Sequence, residues 1–141
     1  MIGLFDIIIV VAVLITLLLA SISDLKTREI PDWLSYGLLF FVISTRAIES
    51  ILEKNASHII STLIVFAIFF AFGSLMYFTR QWGGGDTKLI ASTGAAFAKS
   101  PAYLTLKSTL PFPLILIFNI LIIGAIYGSI YAIYLAVKHK K

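Results

Sequence analysis

The chain has 141 residues, of which 60% are hydrophobic and 13% charged, and its formal net charge is +4. Soluble domains carry about 25% charged residues, so this composition argues against an ordinary soluble fold. The mean hydropathy of +1.01 and several long apolar runs indicate an integral membrane protein. The sequence has no cysteine, which excludes disulfides and thiol nucleophiles, and no basic stripe, which argues against nucleic-acid binding.

The apolar runs predict an all-α, polytopic membrane helix bundle, with residues 1–141 forming a single membrane-embedded domain. The first run lacks the basic start of a cleaved signal, and Asp6 stands in that region, so we expect a retained helix. In chain order the predicted spans are 2–22, 31–52, 58–79, 86–100 and 111–137.

The second span is expected to begin near Pro31, because proline is tolerated in the first turn of a helix. Its second half turns amphipathic, which predicts that it leaves the hydrocarbon near Arg46 and places Glu49 in an outside loop.

The fourth span, at roughly 21 Å, is shorter than the ~30 Å hydrocarbon core. It is rich in small residues, which let membrane helices approach closely. We therefore expect it inside the bundle, walled by Phe69, Phe70 and Phe72.

Loop charges predict the orientation. With the N-terminus outside, seven basic residues lie inside and four outside, which favours a multi-pass protein of the cell membrane with its C-terminus inside. Membrane lipids are then expected partners of the basic loops. The inside set is Lys26, Arg28, Arg80, Lys88, Lys138, Lys140 and Lys141, and the outside set is Arg46, Lys54, Lys99 and Lys107.

Two acids are expected at the same membrane end: Asp24, where the first span meets the inside, and Asp86, where the fourth begins. Ionisable groups at this depth are costly and mark functional sites. Two neighbouring carboxylates share a proton, so that one takes a proton from water while the other polarises a peptide carbonyl. This is aspartic-protease chemistry, which needs no metal. His58 is expected at the opposite face and His139 in the tail, which disfavours histidine triads and zinc sites.

The stretch QWGGGDTKLIAS places Gly83, Gly84 and Gly85 directly before Asp86. We expect these glycines to adopt positive φ and to bring the backbone close to another segment or to an extended substrate. Asp86 would then begin a helix, whose dipole favours the ionised carboxylate. Lys88 does not face Asp86 across i,i+2, so we expect it to contact headgroups or a loop.

Simpler interpretations stay open for each feature. A glycine triplet commonly forms a turn, Asp24 can pair with Arg28 one helical turn later, and Asp86 can cap the fourth helix. The argument for a site therefore depends on both acids occurring at one membrane face.

Two motifs make the chain resemble the type IV prepilin peptidases and archaeal preflagellin peptidases, which are membrane aspartic proteases. The first, SDLKTREIPDWL, places Ile30 and Pro31 downstream of Asp24. The second, GGGDTKL, matches a Gly-x-Gly-Asp-x-Lys pattern around Asp86. The following stretch IASTGAAFA also has the small-residue character of that family.

The resemblance implies that Asp24 and Asp86 are the catalytic pair of an aspartic endopeptidase without a cofactor. Its expected partners are pilin-like or archaellin-like precursors, from which it removes a short basic leader at the cytoplasmic face. Family members commonly have six spans, which gives an expectation of about five to six transmembrane helices here. Residues expected to bind substrate or shape the site are Gly83, Gly84, Gly85, Lys88, Ile30, Pro31, Glu29 and Asp32.

Within this set, Glu29 and Asp32 are expected to attract the basic leader. Larger bacterial members of the family carry a cysteine-rich segment and also methylate the new N-terminus. Because this chain has no cysteine, we expect no methyltransferase activity.

Other classes stay open. Presenilin-like and signal-peptide-peptidase-like proteases share the Gly-x-Gly-Asp signature and cut within the bilayer, although Lys26 and Arg28 beside Asp24 favour a surface site. A proton-coupled transporter would place its acids near the midplane and often shows internal repeats. A structural pilus-platform subunit is the third alternative.

Overall fold

The computed structural model describes residues 2–101, 104 and 110–138. In these residues the chain forms five α-helices and no strand, which confirms the predicted all-α bundle. The helices are α1 (Ile2–Thr27), α2 (Asp32–Leu52), α3 (Ser57–Phe78), α4 (Gly84–Ala96) and α5 (Phe112–Lys138).

Four of the helices, α1, α2, α3 and α5, are long and apolar enough to cross a membrane. α4 has 13 residues and spans about 20 Å, so it reaches only part of the way. Against the expected five to six transmembrane helices, the described part of the chain therefore has four full spans and one partial helix. This architecture is that of a membrane protein.

α4 lies inside the bundle, as its small residues predicted, and packs mainly against α3 and α2. Gly94 sits under the buried ring of Phe69, and a Cβ on residue 94 would overlap that ring. One helical turn further along α3, the carbonyl oxygen of Gly73 accepts a hydrogen bond from Thr87 Oγ1 at 3.0 Å. Glycines on both helices thus let α3 and α4 approach closely.

Of the three phenylalanines expected to wall α4, Phe69 has this role, since its ring covers Gly94. Phe70 is 46% exposed, and Phe72 packs edge-on against Trp82 with ring centroids 5.6 Å apart. The prediction fails for Phe70 because only residues three or four apart share a helix face, and α3 presents Phe69 and Gly73 to α4.

α2 ends at Leu52 as predicted, but the burial of its last turns differs from the prediction. Arg46 and Glu49 are 5% and 1% exposed, so neither belongs to an outside loop. Arg46 donates to Glu49 at 2.6 Å and to Asp6 of α1 at 2.9 Å. The charges satisfy one another inside the bundle, which is the condition under which buried ions are tolerated.

α5 matches the predicted span 111–137 to within one residue at each end, and none of its described residues is buried. The rings of Phe112 and Phe97, 5.9 Å apart, join its start to the end of α4. Four residues that enter the sequence predictions, Lys107, His139, Lys140 and Lys141, lie outside the described part of the chain.

Candidate functional site

An open pocket of about 290 Å³ lies where the end of α1, the start of α2 and the start of α4 meet. It is lined by Asp24, Arg28, Glu29, Ile30, Asp32, Gly83, Gly84, Gly85 and Asp86. We call it the acidic pocket, since four carboxylates and one guanidinium line it. The structure thus brings Asp24 and Asp86, from distant parts of the sequence, to one cavity.

Asp24 lies on the last turn of α1, and the helix end fixes the chain around it. Arg28 adopts a φ of 55°, and its N–H donates to the carbonyl oxygen of Asp24 at 2.8 Å. The hydroxyls of Ser23 and Thr27 donate to the carbonyl oxygen of Glu29 at 3.0 and 3.2 Å. Among the ion pairs of the described residues none joins Asp24 to Arg28, so the exposed carboxylate is open to the pocket.

Asp86 lies in the first turn of α4. Its Oδ2 accepts the N–H of Gly83 at 3.0 Å, which is the carboxylate half of a capping box. The N-cap residue is Gly83, and Asp86 stands at N3, so the simpler interpretation of Asp86 as a cap holds only through this bond back to Gly83. Its Oδ1 has no hydrogen bond to any described residue, so the capping role leaves one oxygen available to the pocket.

The glycine triplet permits close approach rather than an unusual backbone conformation. The expectation of positive φ is wrong, because no glycine in the described residues has one, and Gly83 has a φ of −75°. A Cβ on Gly85 would lie 2.9 Å from Ile30 Cβ, whereas one on Gly84 would make an ordinary contact with Tyr77 at 3.7 Å. Gly85 thus lets α4 begin directly against the α1–α2 connection.

Lys88 does not line the acidic pocket, but it connects α4 to Asp32, which does. Its Nζ lies 2.6 Å from Asp32 Oδ1 and 5.4 Å from the centroid of the Tyr36 ring. This agrees with the expectation that Lys88 contacts a loop end rather than Asp86. The hydrogen bond to Asp32 raises the pKa of Lys88 above its ordinary value of 10.5, because it stabilises the charged ammonium. Pro31 is also outside the pocket and is the N-cap residue of α2.

A second cluster of titratable groups lies at the opposite end of the bundle. Single ligand atoms of Glu49, Glu53 and His58 lie within 4.8 Å of one another, a spacing that suits a metal ion. Glu49 is already bound by Arg46, and Lys99 Nζ lies 3.5 Å from His58 Nδ1. Because the cations of Arg46 and Lys99 already contact the cluster, we interpret it as an ion-pair network.

Sequence reasoning missed two contributions near the acidic pocket. Arg28 was considered as an ion-pair partner of Asp24 and as an inside charge but not as part of the site, yet it is the single cation of the lining. Tyr77 was not considered, although its ring would lie 3.7 Å from a Cβ on Gly84. The aromatic residues that flank the triplet in MYFTRQWGGG were a signal that was available in the sequence.

The fold and the acidic pocket define a small helical membrane protein with a polar site at one end of its bundle. Residues 11–133 match the Type IV leader peptidase family, and the chain belongs to that family. The resemblance drawn from the two motifs is thereby confirmed.

Several archaeal proteins are similar to the chain. The preflagellin peptidase of Methanococcus voltae is 34% identical over 134 residues, which are 89% of this chain and 55% of that protein. The preflagellin peptidase of Methanocaldococcus jannaschii is 35% identical over 85 residues, 60% of this chain and 36% of that protein. Prepilin peptidase EppA of Methanothermobacter thermautotrophicus is 27% identical over 109 residues, 71% of this chain and 28% of that protein.

The matched part of this chain thus spans about half or less of the length of these relatives. No solved structure matches the chain significantly.

Proposed function

We propose that the chain is an aspartic endopeptidase that removes a short basic leader from pilin-like or archaellin-like precursors at the cytoplasmic membrane face. The observation that carries this proposal is that Asp24 and Asp86 line one pocket at the ends of two different helices. Membership of a leader peptidase family supports the substrate class, as do the names of the preflagellin and prepilin peptidases that resemble the chain.

In the proposed mechanism the two carboxylates hold one proton between them. Asp86 is assigned the role of the base, because the Gly83 N–H holds its Oδ2 at the start of α4 and leaves its other oxygen for the water. The free oxygen of Asp86 takes a proton from water while the water oxygen attacks the scissile carbonyl carbon. Asp24 gives its proton to the carbonyl oxygen, and a tetrahedral diol forms.

Collapse of the diol completes the reaction. The proton taken from water passes from Asp86 to the amide nitrogen, the C–N bond breaks, and a hydroxyl proton of the diol returns to Asp24. One water and one peptide bond become a carboxylic acid and an amine, and the pair recovers its starting state. No cofactor is required for any of these proton transfers.

The charges of the acidic pocket support a basic substrate. Four carboxylates line the pocket and only one guanidinium does. One of the four, Asp32, is paired with Lys88, which does not line the pocket. Glu29 has no ion pair with a described residue, so it is the strongest candidate to attract a basic leader. The two parts of the substrate, its basic leader and its apolar remainder, then both contact the enzyme at one membrane surface.

The proposed topology has the N-terminus outside and the acidic pocket facing the cytoplasm, within a single domain. Lys26 and Arg28 next to Asp24 support this orientation through the positive-inside rule. Asp24 lies near the end of α1 and Asp86 in the first turn of α4, and these positions at helix ends favour a surface site over one within the bilayer and disfavour a proton relay at the midplane.

The test is cleavage of a precursor with a basic leader in reconstituted membranes. Wild type should release a shortened product, and Asp24→Asn and Asp86→Asn should each lose cleavage by more than about a thousandfold, as when a member of a catalytic pair is removed. Glu53→Gln, a carboxylate change at the opposite end of the bundle, is the matched control and should cleave normally. Either asparagine variant cleaving at the wild-type rate would disprove the paired mechanism.

A further inference from the structure

A second pocket, of about 490 Å³, is lined by Tyr77, Phe78, Arg80 and Trp82, and we call it the aromatic pocket. Tyr77 and Phe78 are 51% and 79% exposed, although both carry large apolar rings. Three of the four residues that line it carry aromatic rings, and aromatic side chains are common in sites that bind an apolar group.

The walls of the aromatic pocket are held in place by the turn that ends α3. Arg80 adopts a φ of 59°, and its N–H donates to the carbonyl oxygen of Tyr77 at 2.9 Å. The backbone N–H of Trp82 donates to the carbonyl oxygen of Met76 at 3.3 Å, and the Trp82 ring packs edge-on against Phe72. The backbone of the turn and the Trp82 ring are therefore held in place without a ligand, which lowers the entropic cost of ordering them on binding.

The aromatic pocket adjoins the acidic pocket through the glycine triplet. Gly84 lines the acidic pocket, and a Cβ on it would lie 3.7 Å from the Tyr77 ring that lines the aromatic one. Trp82 stands just before the triplet in the chain. An extended peptide advances about 3.3 Å per residue, so a chain lying across Asp86 reaches the aromatic pocket within a few residues.

The two pockets differ in charge. Four carboxylates and one guanidinium line the acidic pocket, whereas the aromatic pocket contains Arg80 and no acid. A basic side chain is attracted to the first and repelled from the second. The pair of pockets therefore favours one direction of a peptide that is basic on one side of the cleaved bond and apolar on the other.

We propose that the aromatic pocket is a substrate subsite that binds an apolar side chain on the side of the scissile bond away from the basic leader. This inference rests on the proposed peptidase function. Burial of a leucine or phenylalanine between Phe78 and Trp82 removes apolar surface of both partners from water, and this burial supplies the selectivity. Arg80 rejects a lysine at the same position.

The test compares precursors that differ only in the residues just after the cut, with leucine, asparagine or lysine placed at each of the first three positions in turn. At the position that enters the pocket, wild type should prefer leucine to asparagine by about tenfold or more in kcat/KM, as apolar pockets generally do. Phe78→Ala and Trp82→Ala should each abolish most of this preference. Arg80→Ala should relax the rejection of lysine while keeping the preference for leucine.

Trp33→Ala is the matched control, because Trp33 is 67% exposed at the same end of the bundle and lines neither pocket. It should keep the wild-type preference. Phe78→Ala covers the case in which Trp82→Ala does not fold, since the Phe78 ring is largely exposed.

Two results would overturn the subsite. In one, folded Phe78→Ala keeps the full preference for leucine. In the other, it slows all precursors equally, as expected of residues that only anchor the protein to the membrane. If Asp24→Asn and Asp86→Asn abolish cleavage in the same assay, either result removes the subsite alone and leaves the proposed function standing. Cleavage that persists in those asparagine variants removes the proposed function instead.

Discussion

Gly85 and Ile30 touch where the start of α4 meets the connection between α1 and α2. A Cβ on residue 85 would lie 2.9 Å from the Cβ of Ile30 and 3.3 Å from its carbonyl oxygen. Neither atom is at the end of a flexible side chain, so only backbone movement can relieve the overlap. This contact fixes the distance between the segments that carry Asp24 and Asp86.

Gly85→Ala should therefore impair the proposed active site more than the fold. The added methyl group pushes the first turn of α4 away from Ile30 and displaces Asp86, and a misplacement of about 1 Å lowers rates by roughly a hundredfold. The measurement is kcat/KM for leader cleavage together with the melting temperature in detergent. Gly37→Ala is the control, because a Cβ there meets nothing within 4 Å, and it should leave cleavage unchanged. Full activity in Gly85→Ala would show that the contact does not position Asp86.

The sequence predicted those features of the site that depend on a single segment, but not those that depend on a contact between two distant segments. Hydrophobic runs of membrane length predicted the long helices, and small residues predicted the enclosed position of α4, because both properties belong to one segment at a time. The role of Gly85 depends instead on Ile30, a residue far away in the chain. Sequence reasoning expected the triplet to approach another segment closely, as Gly85 does, but could not name Ile30, and its expectation of a positive φ was wrong.

The same limit explains the error at the end of α2. Arg46 and Glu49, taken individually, indicate a solvent-exposed surface. Their burial depends on Asp6 of α1, which supplies the second carboxylate for the same guanidinium. The hydropathy of a segment does not show that its charged residues pair with a charge on another helix.

Glu29 should contribute more to leader selectivity than the pair formed by Asp32 and Lys88. Glu29→Gln removes an unneutralised charge from the acidic pocket, so the preference for a basic over a neutral leader should fall by up to about fivefold at low salt. The double variant Asp32→Asn/Lys88→Met removes a carboxylate and its counter-charge together, and should leave this ratio nearly unchanged even if overall rates fall. Equal ratios for wild type and Glu29→Gln would exclude leader recognition by Glu29.

The ion pair between Lys88 and Asp32 should stabilise the fold in a pH-dependent way. Because the hydrogen bond from Asp32 raises the pKa of Lys88 above 10.5, the folded state holds this proton more tightly than the unfolded state. The contribution is fully present below pH 10.5 and is lost as the pH rises through the raised pKa.

Melting temperatures of wild type and Lys88→Met, measured from neutral pH to above pH 10.5, check the sign of this pH dependence. The difference between them should be small, constant near neutral pH, reduced by salt, and absent at strongly alkaline pH. Lys26→Met, on an exposed position of α1, should show no such dependence. A difference that grows with pH would contradict the assignment of the stabilising pair.

Arg46→Met should destabilise the protein strongly without touching the acidic pocket. The substitution leaves Glu49 and Asp6 buried without their shared guanidinium, and removing one partner of a buried ion pair costs about 3–5 kcal/mol. Unfolding in detergent, followed by circular dichroism, measures the loss. Lys54→Met removes an exposed charge near the same end and should change the stability little.

The triple variant Asp6→Asn/Arg46→Met/Glu49→Gln separates the charge from the shape of these side chains. It removes the arginine together with both carboxylates that it contacts, so neither carboxylate stays buried without this guanidinium and most of the stability should return. If Arg46→Met were as stable as Lys54→Met, the network would be dispensable. If the triple variant were as unstable as Arg46→Met, packing of the arginine side chain would explain its effect, because only the electrostatic explanation predicts recovery when all three charges are removed.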